Sequence, residues 1–240
     1  MGKIILPNEI FGRPVKGAME RILAKDSQPI QQPQPRQGNM PDLNGFVYVP
    51  TTGLYVQKEK QLHGKNWAQT QEELGKQGMK PPTIEELRQF LIYLKQNPNP
   101  ENTQIYNEIT QVRNPWRSEW LDAKFEKSGK DMHIIYHAFD GNSIVEKNEK
   151  LSGHLTEDKL PGISLEKWLE DATVHGLPKS GIEEGQLYYW APVSGYVAWF
   201  YAGSGRAGLY CDGGPGSSGS GLGVRGVMRE APRDASRGGN

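Results

Sequence analysis

The chain has 240 residues, with 28 basic and 28 acidic side chains, a net charge of zero and a single cysteine. The charge balance removes any long-range pull toward nucleic acid or an anionic membrane. The lone Cys211 excludes an intrachain disulfide and a cysteine zinc cluster. No run of about 18 apolar residues offers a membrane span.

The length allows one large domain or two small ones. Only 35% of residues are hydrophobic, so a core must come from the aromatic-rich segments. The 6 Trp and 10 Tyr lie after residue 45. The first residues lack the apolar core of a signal peptide. The expectation is a soluble protein, cytoplasmic by default, with display on a cell or virion surface left open.

Residues 1–40 read as a separate extension. Ala18, Met19, Ile22 and Leu23 share one face of a short helix over Val15–Lys25. The Gln/Pro-rich stretch Ser27–Arg36 then predicts an extended linker, because repeated proline removes backbone donors. A domain follows over 41–231, and residues 232–240 form a polar tail.

Phe46–Val49 and Leu54–Val56 are predicted strands around a Pro50–Gly53 turn. Thr83 and Glu86 form a capping box. Leu87, Phe90, Leu91 and Leu94 then follow at helical spacing, which predicts a helix over 84–96 that Pro98 and Pro100 end. Trp120–Lys127 alternates as a half-buried strand, turns at Ser128–Lys130 and returns as Met132–Phe139. Ser164 caps a second helix over 165–172, with Leu165, Trp168, Leu169 and Ala172 as its stripe. Leu187–Trp190 and Val197–Phe200 are strand-like. Two helices among many short strands predict an α+β fold.

Ten of the 24 residues from Gly203 to Gly226 are glycine. A flexible linker is the competing reading. Against it, Trp199, Phe200, Leu209, Cys211, Leu222, Val224 and Val227 are spaced as core anchors, which a linker does not need. Fixing such backbone costs about 1–2 kcal/mol per residue, so order here requires that the anchors be buried. Ala191–Leu222 also contains no Lys, Glu, Gln or Met. Its Tyr, Ser and Gly are the palette of antibody-like paratopes. It is also the palette reached by randomising the first two bases of an AAY asparagine codon. Trp199 alone falls outside that set.

Tyr189-Trp190, Val197-Ala198-Trp199-Phe200, Gly205–Leu209 and Leu222-Gly223-Val224-Arg225 together resemble the C-terminal variable region of diversity-generating retroelement variable proteins. Glu119–Ala123 and Leu187–Trp190 are similar to upstream pieces of the same group, and the resemblance runs over roughly residues 45 to 230, most like archaeal and archaeal-virus members. It implies a C-type lectin-type fold of the formylglycine-generating-enzyme-like branch, with two main helices packed on short antiparallel strands. It also implies that adenine mutagenesis of a template repeat rewrites the variable region, about 188–227, for ligand binding. Trp190, Ala198, Trp199, Phe200, Arg206, Ala207, Leu209, Leu222, Gly223, Val224 and Arg225 would be its framework. Ser194, Gly195, Tyr196, Tyr201, Gly203, Ser204, Tyr210, Asp212, Gly213, Gly214, Ser217, Ser218 and Ser220 would be its exposed, ligand-binding positions. Gly208 and Gly216 fit either class. Affinity would come mainly from Tyr196, Tyr201 and Tyr210. The ligand is expected to be a protein or a cell-surface polymer.

Other chemistry is weaker. Two matches to G-x-G-x-x-G, at Gly203–Gly208 and Gly221–Gly226, lack the following helix that a phosphate loop needs. His133 and His137 share a strand face, but no third metal ligand follows at a recognisable spacing. A formylglycine-generating-type enzyme or pseudo-enzyme is the alternative. That branch works through paired cysteines, whereas this chain has only Cys211. No cofactor and no catalytic residue is expected.

Overall fold

The computed structural model describes residues 9–10, 13–14, 43–141 and 143–229. The chain forms two units, residues 1–41 and 42–240. In the first, β1 (Glu9–Ile10) pairs antiparallel with β2 (Arg13–Pro14). The expected helix over Val15–Lys25, the Gln/Pro-rich linker and the polar tail from Pro232 lie outside the described residues.

In the second unit a short 3-10 helix (Leu43–Gly45) leads into β3 (Phe46–Val49) and β4 (Leu54–Gln57), which are joined by the expected turn. α1 spans Trp67–Gly75 and α2 spans Ile84–Gln96. α2 starts on the capping box read from the sequence: Thr83 accepts from the Glu86 amide, and Glu86 accepts from the Thr83 amide. Ile84, Leu87, Phe90, Leu91 and Leu94 are buried along one stripe, the spacing that 3.6 residues per turn demands. Pro100 does not only close off α2; it opens α3 (Pro100–Thr110), where Asn99 caps and proline occupies the first turn. Proline is at home there because that N–H has no intrahelical partner.

β5 (Arg117–Ser128) is the spine of an eight-stranded sheet. β6 (Asp131–Asp140) and β7 (Ser143–Lys150) continue it on one side. β8 (Lys159–Ile163) precedes α4 (Leu165–Glu170), whose cap Ser164 accepts from the Lys167 amide. On the other side of β5 run β10 (Val197–Ala202), β11 (Ala207–Gly213), β9 (Leu187–Trp190) and β8, in that order. β12 (Leu222–Gly223) joins β5, and β13 (Val227–Arg229) joins β4 in a three-stranded sheet.

The fold is therefore α+β, with more sheet than helix. The expectation of two helices on short antiparallel strands needs correction. α1 and α3 add to them, β5 and β6 run 12 and 10 residues, and β9–β11 and β12–β5 pair in parallel. α1 escaped sequence reading because it is mostly polar and buries only Thr70 and Leu74. It is held from outside itself, by Trp67 Nε1 donating to the Leu121 carbonyl at 2.8 Å. No helix among the described residues is long and apolar enough to cross a membrane.

Strand alternation divides the large sheet into two packed sides. Leu121, Ala123, Phe125, Phe200, Leu209 and Tyr189 join α2 and Trp168 in the main core. Trp120 and Val197 belong to a second cluster with Leu74, Met79, Leu222 and Val224. The glycine-rich C-terminal stretch thus supplies anchors to both.

Candidate ligand-binding surface

The side chains of β9, β10 and β11 that miss the main core meet on the opposite side of the sheet. Register sets their order: Trp199 and Tyr201 on β10 lie opposite Tyr210 and Gly208 on β11, which lie opposite Trp190 and Tyr188 on β9. The rings form a continuous series. Trp116 stacks on Tyr201 (centroids 6.0 Å apart), Tyr201 meets Tyr210 (5.3 Å), Tyr210 meets Trp190 (3.9 Å), and Trp190 stacks on Tyr188 (5.7 Å). The exposed Arg206 guanidinium sits 5.3 Å from the Trp190 ring and 5.8 Å from Tyr188, within cation–π range. Trp116, at the end of the loop after α3, is 42% exposed.

Glycines make this packing possible. A Cβ at Gly208 would lie 2.4 Å from the Tyr188 carbonyl oxygen, and one at Gly203 would lie 2.2 Å from the Tyr201 hydroxyl. Cβ atoms at Gly219 and Gly221 would lie 3.1 Å from the Trp116 ring. Tyr201 therefore lies over Gly203, and Trp116 over the glycine-rich loop.

No family model, curated protein or solved structure matches this chain.

The expected variable positions divide into three groups. Ser194, Gly195 and Tyr196 are exposed in the loop before β10. That loop is hooked to β5: Gly195 N–H donates to the Phe125 carbonyl, the Tyr196 carbonyl accepts from Phe125 N–H, and Ser194 Oγ accepts from Lys127 N–H. Gly195 has φ +86°, a left-handed conformation suited to glycine. Ser204, Ser218 and Ser220 are exposed, while Tyr201, Asp212, Gly214 and Ser217 are half-buried. The loop over 214–220 is tied to the start of α1 and the segment before it, through the Pro215 carbonyl accepting from Trp67 N–H and the Ser220 carbonyl contacting His63 Nδ1.

Gly203, Tyr210 and Gly213 were expected to be exposed and are buried. Gly213 is closed in by the Val197 carbonyl and the Trp199 ring. Tyr210 is 8% exposed and held between Trp190 and Tyr201. Among the described residues, its hydroxyl has no hydrogen-bond partner of good geometry. Burial pushes its pKa up to about 12, with nearby Arg206 pulling the other way. The expected trio of tyrosines is also split: Tyr201 and Tyr210 touch, whereas Tyr196 precedes the far end of β10.

Among the framework residues, Ala198, Phe200, Ala207, Leu209, Leu222, Gly223, Val224 and Arg225 are buried. Trp190 and Trp199 are half-buried, and Arg206 is exposed and faces the rings. A Cβ at Gly208 would strike the Tyr188 backbone, whereas a Cβ at Gly216 meets nothing within 4 Å. Sequence reading missed Trp116 as a member of the surface, and it placed Tyr188 at the edge of the variable region without naming it as a binding position. Trp116 lies in an Asn-Pro-Trp turn 85 residues before Tyr201, counting 201 minus 116, and no local pattern connects them.

Arg225 closes the stretch through a buried ion pair. Its Nε donates to Glu119 Oε1 at 3.0 Å, and Arg117 Nη1 donates to the same oxygen at 2.9 Å. Burial alone would raise the Glu119 pKa, but the Arg225, Arg117 and Lys60 charges outweigh it and hold the carboxyl below its usual range.

Elsewhere, Cys211 is fully buried, and burial raises its thiol pKa well above the ordinary value. A thiol that stays protonated and out of reach is a poor nucleophile. His137 Nδ1 contacts Asp122 Oδ1 at 3.0 Å, and His133 Nδ1 contacts Asn148 Oδ1 at 2.9 Å. Among the described residues, no cluster of three His, Cys, Asp or Glu could hold a metal ion. Both G-x-G-x-x-G stretches lead into strands: the first forms the β10–β11 turn and enters β11, and the second spans β12 and enters β13.

Proposed function

We propose that the protein is a ligand-binding protein of the diversity-generating retroelement type, on a C-type lectin-like scaffold, with its contact surface written by adenine mutagenesis. The observation that carries this reading is the aromatic series Trp116–Tyr201–Tyr210–Trp190–Tyr188, capped by Arg206. Tyr, Trp and Arg are the residue types that dominate binding energy at protein interfaces. The division of labour within residues 191–222 supports the same reading. Side chains turned into the cores are mostly apolar anchors, and the exposed residues are mostly Ser and Gly with Tyr196, besides Val193, Arg206 and Pro215. A surface meant to change needs that separation, because most substitutions at buried anchors destabilise.

The gene neighbourhood tests it. The expected finding is a reverse transcriptase beside a near-copy of the segment encoding residues 191–222, with differences confined to adenines of the copy. Those differences should fall at Ser194, Tyr196, Tyr201, Ser204, Gly216, Ser217, Ser218 and Ser220. They should spare Gly208, where a side chain would strike the Tyr188 backbone. Absence of both the copy and the reverse transcriptase would refute the reading.

A further inference from the structure

A cavity of roughly 320 Å3 lies beside the aromatic surface, lined by Lys60, Arg113, Arg117, Glu108, Trp116 and Gly221 among others. Its lining side chains Lys60, Arg113 and Arg117 come from outside the stretch of unusual composition. Lys60 lies after β4, Arg113 in the loop after α3, and Arg117 at the start of β5. Arg225 lies behind them, joined to Arg117 through Glu119. Four cations thus gather around two carboxylates, Glu108 and Glu119, with Glu59 exposed at the rim.

The hydrogen bonding of this group is incomplete. Arg117 is 3% exposed; it donates from Nε to the Glu108 carbonyl and from Nη1 to Glu119, while its Nη2 has no partner among the described residues. Arg113 Nε and Arg225 Nη2 are likewise buried without a hydrogen-bond partner among the described residues. The Glu108 carboxylate stands 3.7 Å from Arg113 Nη1 and 3.6 Å from Arg225 Nη2, too far for hydrogen bonds. Buried guanidinium N–H groups are costly to leave unpaired. Lys60 also feels the crowding. Its pKa is lowered to about 8, chiefly by burial, with Glu119 and Glu108 opposing the shift and Arg117 and Arg225 adding to it.

We propose that this cavity binds a small organic oxyanion: a phosphate, sulfate or carboxylate carried on a ring. Arg113 and Arg117 line the cavity with guanidinium groups whose donors are not all used, and Lys60 supplies further charge. Arginine suits this role because its fixed fork of donors matches oxyanion geometry. The ring is inferred from size and lining. The volume falls at the lower end of small-molecule pockets, about 300–1,000 Å3, and Trp116 and Pro115 form an apolar wall. The inference does not rest on diversification of the neighbouring surface. Either can fail without the other.

Titration calorimetry on the full chain, at constant ionic strength, tests the proposal with inorganic phosphate, sulfate, acetate, glucose 6-phosphate and glucose. At least one oxyanion is expected to bind saturably at one site per chain. Glucose 6-phosphate should bind more tightly than inorganic phosphate, and glucose alone should not bind. Arg113→Gln should weaken the bound anion about tenfold or more, the usual worth of a charge-assisted hydrogen bond. Glu108→Gln should strengthen it by removing a competing carboxylate, a gain that misfolding cannot imitate. Arg206→Gln, which alters the aromatic surface instead, should leave it unchanged. Saturable binding by none of the anions would overturn the site. So would anion binding that Arg113→Gln and Glu108→Gln both leave unaltered. A glucose 6-phosphate affinity equal to that of phosphate would remove the ring.

Discussion

Replacing Arg225 with Leu tests whether the glycine-rich stretch is held in place by the buried ion pair near its end. Arg225 is 0% exposed, and its Nε–Glu119 Oε1 bond is 3.0 Å long. Leu fills part of the space but leaves Glu119, also 0% exposed, with Arg117 as its remaining hydrogen-bonded cation. Removing one partner of a buried ion pair costs about 3–5 kcal/mol, because the other charge stays buried. At about 2–4 °C per kcal/mol for a domain of this size, the midpoint of thermal unfolding should fall by roughly 6–20 °C. Glu119→Gln and the double variant complete a cycle. Once Glu119 is neutral, Arg225→Leu should cost much less than it does alone. The pH dependence has a definite sign. Glu119 is depressed in the folded state, so its contribution is present above the unfolded carboxyl pKa of about 4.3 and is lost as pH falls through its lower folded value. The deficit of Arg225→Leu should therefore be full at pH 7 and shrink in acid. A loss below about 1 kcal/mol, within the range of exposed salt bridges, would refute the reasoning. So would strict additivity in the cycle.

Cys211 should react with a thiol reagent only at the rate at which the native protein opens, since it is fully buried and its thiol is held protonated; labelling at the speed of a small free thiol would contradict the packing of β11. Gly208→Ala should destabilise by about 1–3 kcal/mol through overpacking against the Tyr188 backbone, whereas Gly216→Ala, which meets nothing, should be nearly neutral in the same urea titration. His137 should titrate above 6.5 by NMR, because its hydrogen bond to Asp122 raises its pKa despite burial. The stability it contributes is present below its unfolded pKa and fades as pH rises through the folded one, so replacing it with Leu should cost more at pH 5.5 than at pH 8.5.

Local chemistry made much of the fold legible. The Thr83–Glu86 capping box and the Leu87–Leu94 stripe placed α2 at its observed bounds, and the alternation after Trp120 placed β5 and β6 within a few residues. β9 likewise lies where its aromatic run placed it. Each of these signals is complete within a dozen residues. β7 was missed because its residues are largely exposed and polar, and β11 because its glycines hide the alternation.

The sequence by itself determined which segments repeat at helical or strand spacing. It also showed which glycine-rich residues have the character of anchors, because periodicity and side-chain chemistry act locally. Tertiary structure decided what those anchors meet. It placed β10 between β5 and β11, laid Trp116 on Tyr201, enclosed Gly203, Tyr210 and Gly213, and joined Arg225 to Glu119 across 106 residues. Those outcomes depend on strand register and on the space that glycine leaves open, and both are set only when distant strands pair.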